Sequence, residues 1–254
     1  GDFFFFFYSE CTVDNNWLSE IDTTLQQEKV DAFGGPDSFR NDFPPLLKAI
    51  NYSMTSFLTT GGIRGHGKKK AGKFYPRSFN MGLSRQLHEK IGGFGALRHG
   101  QDIEFSNRII RSGARVARIQ TAIVYHKRRT SVTKFFRQVY NWGVARINLF
   151  KMDKAMLEPV HFFPALALWT TVFVLLLGII VPKITLAFLV IAFLFLIVSV
   201  IDAFILYKNF KAAALVFLII PIQIYGYGLG FTIAFVKRVI FGKKEFTGFT
   251  RKYY

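Results

Sequence analysis

Asp102 follows Gly100-Gln101 and precedes Ile103-Glu104-Phe105, where the glycine-rich turn Gly92-Gly93-Phe94-Gly95 gives way to an amphipathic pattern. That places a carboxylate at a helix start. The basic pairs Arg128-Arg129 and Arg137-Gln138, the second half cation and half amide, lie downstream. A carboxylate able to take a proton, with guanidinium groups that grip phosphate oxygens, suits base catalysis on an anionic substrate. The same carboxylate has an ordinary structural reading, because the helix dipole favours negative charge at an N-terminus.

These residues need elements to hold them. Phe3 to Tyr8 is continuously apolar and aromatic, as expected of a strand buried on both faces of a parallel sheet. Ser9-Glu10-Cys11 would stand at its carboxyl end, where open α/β sheets bind ligands. Asn15-Asn16 caps a helix running to about Gln27. Lys29 to Phe33 reads as a strand ended by Gly34-Gly35-Pro36, and about Pro45 to Leu58 as a helix. Thr59 to Lys73, rich in Gly and Lys, reads as a loop. Arg77 to Ser84 predicts a strand, Arg85 to Ile91 a helical turn, and Ile103 to Ser112 an amphipathic helix ended by Gly113. Arg115 to Tyr125 alternates like a strand, and Val132 to Phe150 reads as helix. The order is that of an α/β domain.

From residue 160 the chain turns apolar. Residues 160–181, 184–207 and 212–236 are each long enough to cross a hydrocarbon core of about 30 Å, with Asp202 as the one internal charge. A charge there is costly and often functional, although its nearness to Tyr207-Lys208 lets it reach the interface. The composition agrees: 51% of the 254 residues are hydrophobic. The net charge of +17, concentrated at Lys68-Lys69-Lys70, Lys127-Arg128-Arg129, Lys237-Arg238, Lys243-Lys244 and Arg251-Lys252, fits anionic lipid headgroups beside such spans better than nucleic acid, with phosphate-bearing substrates a third possibility. A single Cys11 excludes an internal disulfide. The chain lacks an initial Met, and Gly1-Asp2 runs straight into the first strand, which reads as a chain cut inside a domain.

Taken in order, Tyr8-Ser9-Glu10-Cys11, Trp17-Leu18, Gly92-Gly93-Phe94, Gln101-Asp102, Arg108…Gly113, Tyr125-His126 and Arg137-Gln138…Trp142-Gly143 resemble the family 2 glycosyltransferases, membrane-attached enzymes of the GT-A fold. The fit runs from residue 3 to about 150. Three departures accompany it. The family's Asp-x-Asp is Tyr8-Ser9-Glu10, its Glu-Asp is Gln101-Asp102, and its Gln-x-x-Arg-Trp is Gln138-Val139-Tyr140-Asn141-Trp142. The family's nucleotide-binding half would lie upstream of the first motif, so the resemblance implies a chain that is inactive alone.

The resemblance implies an α/β, partial GT-A-type (Rossmann-like) domain over 1–152, followed by a transmembrane α-helical region and basic tail over 153–254. It implies Asp102 as the base of an inverting transfer, with Gln101 orienting the site. Glu10 and His126 become candidate ligands of Mg²⁺ or Mn²⁺, since hard cations prefer carboxylate oxygen. Arg137, Gln138 and Trp142 would contact the diphosphate and the acceptor sugar; the same helix would also suit the headgroup layer. Lys68 to Lys70 could gate the donor. The expected partners are a nucleotide-sugar donor, a lipid-linked or glycan acceptor and membrane lipids, with no nucleic acid. The expected place is the bacterial inner membrane, with the catalytic part cytoplasmic. Three crossings would then put the basic tail outside, against the positive-inside tendency. A re-entrant third span, marked by Pro221, Gly226, Gly228 and Gly230, or an interfacial first segment would resolve this. The alternative function is a non-catalytic membrane protein, its site degenerate at Tyr8 and Gln101, that binds glycan or a partner.

Overall fold

The computed structural model describes residues 1–38, 40, 42–60, 74–126 and 129–250. The gating candidate Lys68–Lys70, and the basic residues Lys127, Arg128, Arg251 and Lys252, lie outside the described residues. The chain is mixed α/β and divides into two compact units, Gly1–Phe43 with Met54–Arg128, and Pro44–Ser53 with Arg129–Tyr254.

The elements of the first half run β1 (Phe3–Phe7), β2 (Cys11–Val13), α1 (Trp17–Gln27), β3 (Ala32–Gly34), β4 (Asp37–Ser38), α2 (Pro45–Thr55), α3 (Phe57–Thr60), β5 (Asn80–Ser84), α4 (Arg85–Ile91), α5 (Gln101–Arg111), β6 (Val116–Arg118) and β7 (Val124–His126). One sheet has the order β1-β5-β3-β6, with β5 antiparallel to β1 and β3, and β3 parallel to β6. The other has the order β2-β7-β4. The alternation of side chains along β3 separates two cores. Phe33 packs with Trp17 and Ile21 of α1, and Ala32 packs with Leu87, Phe105 and Ile109 of α4 and α5. At the start of β3, Arg115 grips Asp31 through two side-chain hydrogen bonds of 3.0 Å, which hold the carboxyl of Asp31 below its ordinary value.

Two expectations are corrected here. β1 is an edge strand paired antiparallel with β5, Phe3 opposite Ser84 and Phe7 opposite Asn80, and not a central strand of a parallel sheet. Its aromatics do meet partners on both faces, Phe5 against Phe33 and Trp17, Phe6 against Phe94 and Phe105. Phe7, however, stays 55% exposed. An apolar run reports two packed faces, not two strand partners. The stretch Arg115 to Tyr125 is likewise two strands in different sheets, because the chain leaves β6 and turns at Gln120-Thr121 before β7.

The second unit holds α6 (Val132–Met152), α7 (Phe163–Leu177), α8 (Pro182–Tyr207) and α9 (Phe210–Phe235), with the first turns of α2. Ser131 caps α6 by accepting from the Lys134 N–H at 3.2 Å, and Asn209 caps α9 by accepting from the Ala212 N–H at 2.9 Å. The stretches Pro159–Leu177, Pro182–Tyr207 and Phe210–Ile240 are long and apolar enough to cross a membrane. Phe173, Leu176 and Ile191 stand exposed on α7 and α8, an apolar surface that belongs in lipid rather than water. α9 passes Pro221 without a break and continues into a π-helical turn, Val236–Ile240. Its glycines serve packing. A Cβ at Gly230 would strike the Tyr140 carbonyl of α6, and one at Gly143 would strike the Tyr227 carbonyl of α9. Only hydrogen at both positions lets these two backbones approach so closely. Asp202, exposed near the end of α8, accepts a 2.7 Å hydrogen bond from the Tyr52 hydroxyl, and Asn51 donates to the Tyr207 hydroxyl at 2.9 Å.

Candidate active site

Asp102 is placed by its backbone. Gly100, at φ 86°, makes the left-handed turn that starts α5, and its carbonyl accepts the first helical bonds from the N–H groups of Ile103 and Glu104. A non-glycine residue there would be strained. Asp102 and Glu104 then occupy the first turn and Arg108 and Arg111 the last, which complements the dipole at both ends. Arg108 closes the preceding glycine turn. It donates to Glu104 at 2.6 and 3.0 Å and to the carbonyls of Ile91 and Gly93 at 2.6 Å each. Phe94, carried by that turn, packs 4.5 Å from the Phe105 ring.

The segment Pro76–Phe79 joins this helix start to the end of β1. The Pro76 carbonyl accepts from Ser106, which also bonds the Asp102 carbonyl at 2.7 Å. Arg77 Nη1 donates to Asp102 Oδ2 at 3.2 Å. Ser78 Oγ lies 2.8 Å from the Tyr8 hydroxyl, and the Phe79 ring meets that of Tyr8 edge-on. Tyr8, Arg77, Ser78 and Asp102 therefore share one neighbourhood in the first unit. The ion pair is a quarter exposed on each side, so surface screening limits its contribution to stability. Asp102 Oδ1 accepts no hydrogen bond among the described residues, so only one of the two carboxylate oxygens is engaged there. Gln101, beside it, is exposed.

Glu10 stands exposed in the turn closed by the Cys11 N–H to Tyr8 carbonyl bond. Cys11 pairs with His126 in the β2–β7 ladder, which puts the backbone of His126 next to that turn. Among the described residues no three His, Cys, Asp or Glu side chains converge to hold a metal. The nearby Asp14 is engaged by the Tyr125 hydroxyl at 3.0 Å, a bond that raises the tyrosine above its ordinary value. Glu10 is therefore not one of a converging set of acidic or imidazole ligands among the described residues.

Arg137, Gln138 and Trp142 belong to the second unit, on α6, and all three are half-buried. The Arg137 guanidinium lies over the Phe249 ring, 5.7 Å from its centroid. Asn141, where the resemblance expects arginine, is fully buried and holds the backbone of Phe249. Arg77 escapes the sequence reading, and Arg108 enters it only as part of the Arg108…Gly113 motif, without its contacts. For Arg108 a signal existed, its i,i+4 spacing from Glu104; for Arg77 none did, because its partner is 25 residues away across a loop.

A search of curated proteins finds no match for the chain. A family model does match, and it corrects the family expected from the motifs: it describes glycosyl transferase family 21, not family 2. The match covers residues 70–241, from before the Arg77 segment, through Asp102 and α6, to the end of the apolar helices. The chain belongs to glycosyl transferase family 21.

Proposed function

We propose that the protein is a membrane-bound, inverting glycosyltransferase of GT-A type that moves a sugar from a nucleoside-diphosphate donor to a lipid-linked or glycan acceptor at the cytoplasmic face. The family assignment and the membrane-length helices support transfer at a membrane. The observation that carries the chemistry is the Asp102 carboxylate, fixed by Arg77 through Oδ2 with Oδ1 open. In the proposed step Oδ1 takes the proton of the acceptor hydroxyl. The acceptor oxygen then bonds to the anomeric carbon, and the bond from that carbon to the diphosphate breaks with its electron pair leaving on phosphate oxygen. A single displacement of this kind inverts the anomeric centre. Gln101 orients the acceptor, Arg137 and Gln138 bind the diphosphate, and Trp142 offers a flat face to a sugar. A divalent ion at Glu10, with His126 paired to the adjacent Cys11 in the sheet, would add charge stabilisation of the departing diphosphate.

The test is Asp102→Asn in the full-length protein reconstituted into lipid, assayed across a panel of nucleotide sugars. Loss of a general base predicts transfer reduced about 10²- to 10⁴-fold with secondary structure unchanged. Transfer at the unaltered rate removes Asp102 from the base role, whereas no transfer by the unaltered protein with any donor favours the non-catalytic, glycan-binding alternative.

A further inference from the structure

The segment after α9, beyond the residues that the family model matches, returns to α6. Asn141, buried at 0% exposure, both donates to the Phe249 carbonyl and accepts from the Phe249 N–H, each at 2.9 Å. A side-chain amide is here bound to a backbone as one strand is bound to another. One turn-pair along α6, the buried Asn148 donates to the Phe246 carbonyl at 2.9 Å and accepts from Arg238 at 2.8 Å. Gly248, between the two anchor points, has φ 63°, and a Cβ there would strike Asn141 Oδ1. The aromatic rings complete the attachment: Phe249 packs 4.9 Å from Tyr140, and Phe246 lies 4.0 Å beneath the Lys237 ammonium. Two buried asparagines satisfied by one short segment are specific, since leaving either unpaired would cost roughly 1–3 kcal/mol.

The consequence falls on Arg137. Its guanidinium rests on the Phe249 ring, and a planar cation on an aromatic face loses freedom to swing. We infer that Phe246–Phe249 is a strap that positions Arg137 for the donor's diphosphate, with Asn141 as its anchor and Phe249 as the platform. The inference rests on the proposed reading of Arg137 as a phosphate ligand. It gives the Asn141 position a purpose: where the resemblance expects a second cation, this chain fixes the first one in place.

The experiment uses the whole protein in nanodiscs of phosphatidylcholine, with UDP and inorganic pyrophosphate as probes in calorimetric titration. Phe249→Leu keeps bulk but removes the aromatic face, and should weaken binding of the probes about 3- to 10-fold, in line with one cation–π contact. Phe249→Trp should restore it. Gly248→Ala, which displaces the strap from Asn141, should match Phe249→Leu, and both should raise donor KM while leaving kcat nearly unchanged. Arg137→Gln separates the levels. Probe binding weakened by Arg137→Gln but not by Phe249→Leu overturns the strap alone. Binding unaffected by Arg137→Gln, or none in the unaltered protein, overturns the reading of Arg137 and the strap with it. If Phe249→Leu alters only association with nanodiscs containing phosphatidylglycerol, the ligand of Arg137 is a lipid headgroup and the diphosphate assignment fails.

Discussion

Asp102 and Arg77 meet at 3.2 Å with a quarter of each side chain exposed. A pair this open contributes little to stability, so its effect is better sought in orientation. Arg77 holds one carboxylate oxygen and leaves the other unengaged among the described residues, as the proposed base role requires. Arg77→Gln is therefore expected to lower kcat roughly 10- to 100-fold through misplacement of the carboxylate, with the unfolding midpoint almost unmoved and Arg77→Lys recovering part of the rate. Steady-state kinetics beside a thermal melt check this, and an unchanged kcat would make the pair merely structural. At this scale the place of Asp102 in a first helical turn was legible from sequence, because a glycine turn before an amphipathic run marks a helix start. Arg77 was not, because nothing local ties it to a residue across a loop. Tyr8 shows the same limit: sequence marks it as a departure from Asp, while only the fold shows its hydroxyl beside Ser78.

At the scale of elements, legibility followed how local the determinant was. α6, α8 and α9 were readable nearly to their ends, since length and apolar content act within a helix. The edge position of β1 and the division of 115–125 into β6 and β7 were not, since strand partners are distant in sequence. The glycines of α9 are the instructive case. As sequence they mark a weak span; in the structure Gly230 with Gly143 allows the close contact between α6 and α9, and the helix stays continuous. Gly143→Leu should then force the two helices apart and destabilise the second unit by about 1–3 kcal/mol or more, as overpacking does. Ala214→Leu, at an exposed position of the partner helix α9, should change little. Melting of the two variants in detergent micelles distinguishes them, and equal melting temperatures would mean that α6 and α9 do not rely on that approach.

For the whole molecule the question is how the positive charge and the apolar helices divide the work of holding it to a membrane. The +17 net charge could bind anionic lipid unaided, at about 1 kcal/mol per basic side chain near the surface. That attraction is screened within about 10 Å at 0.1 M salt and fades further above it. The three long stretches answer to no such screening: α8 alone, 26 residues, extends about 39 Å at roughly 1.5 Å per residue, more than the hydrocarbon core. Its exposed leucine, isoleucine and phenylalanine side chains have lipid as their natural solvent. Washing membranes with about 1 M salt or alkaline carbonate should therefore leave the protein in the pellet, and only detergent should release it. Release by salt alone would mean that the basic surface, not the helices, provides the attachment, and the site would then have to meet its acceptor from solution. Retention would mean that the helices anchor the chain without help from the cations.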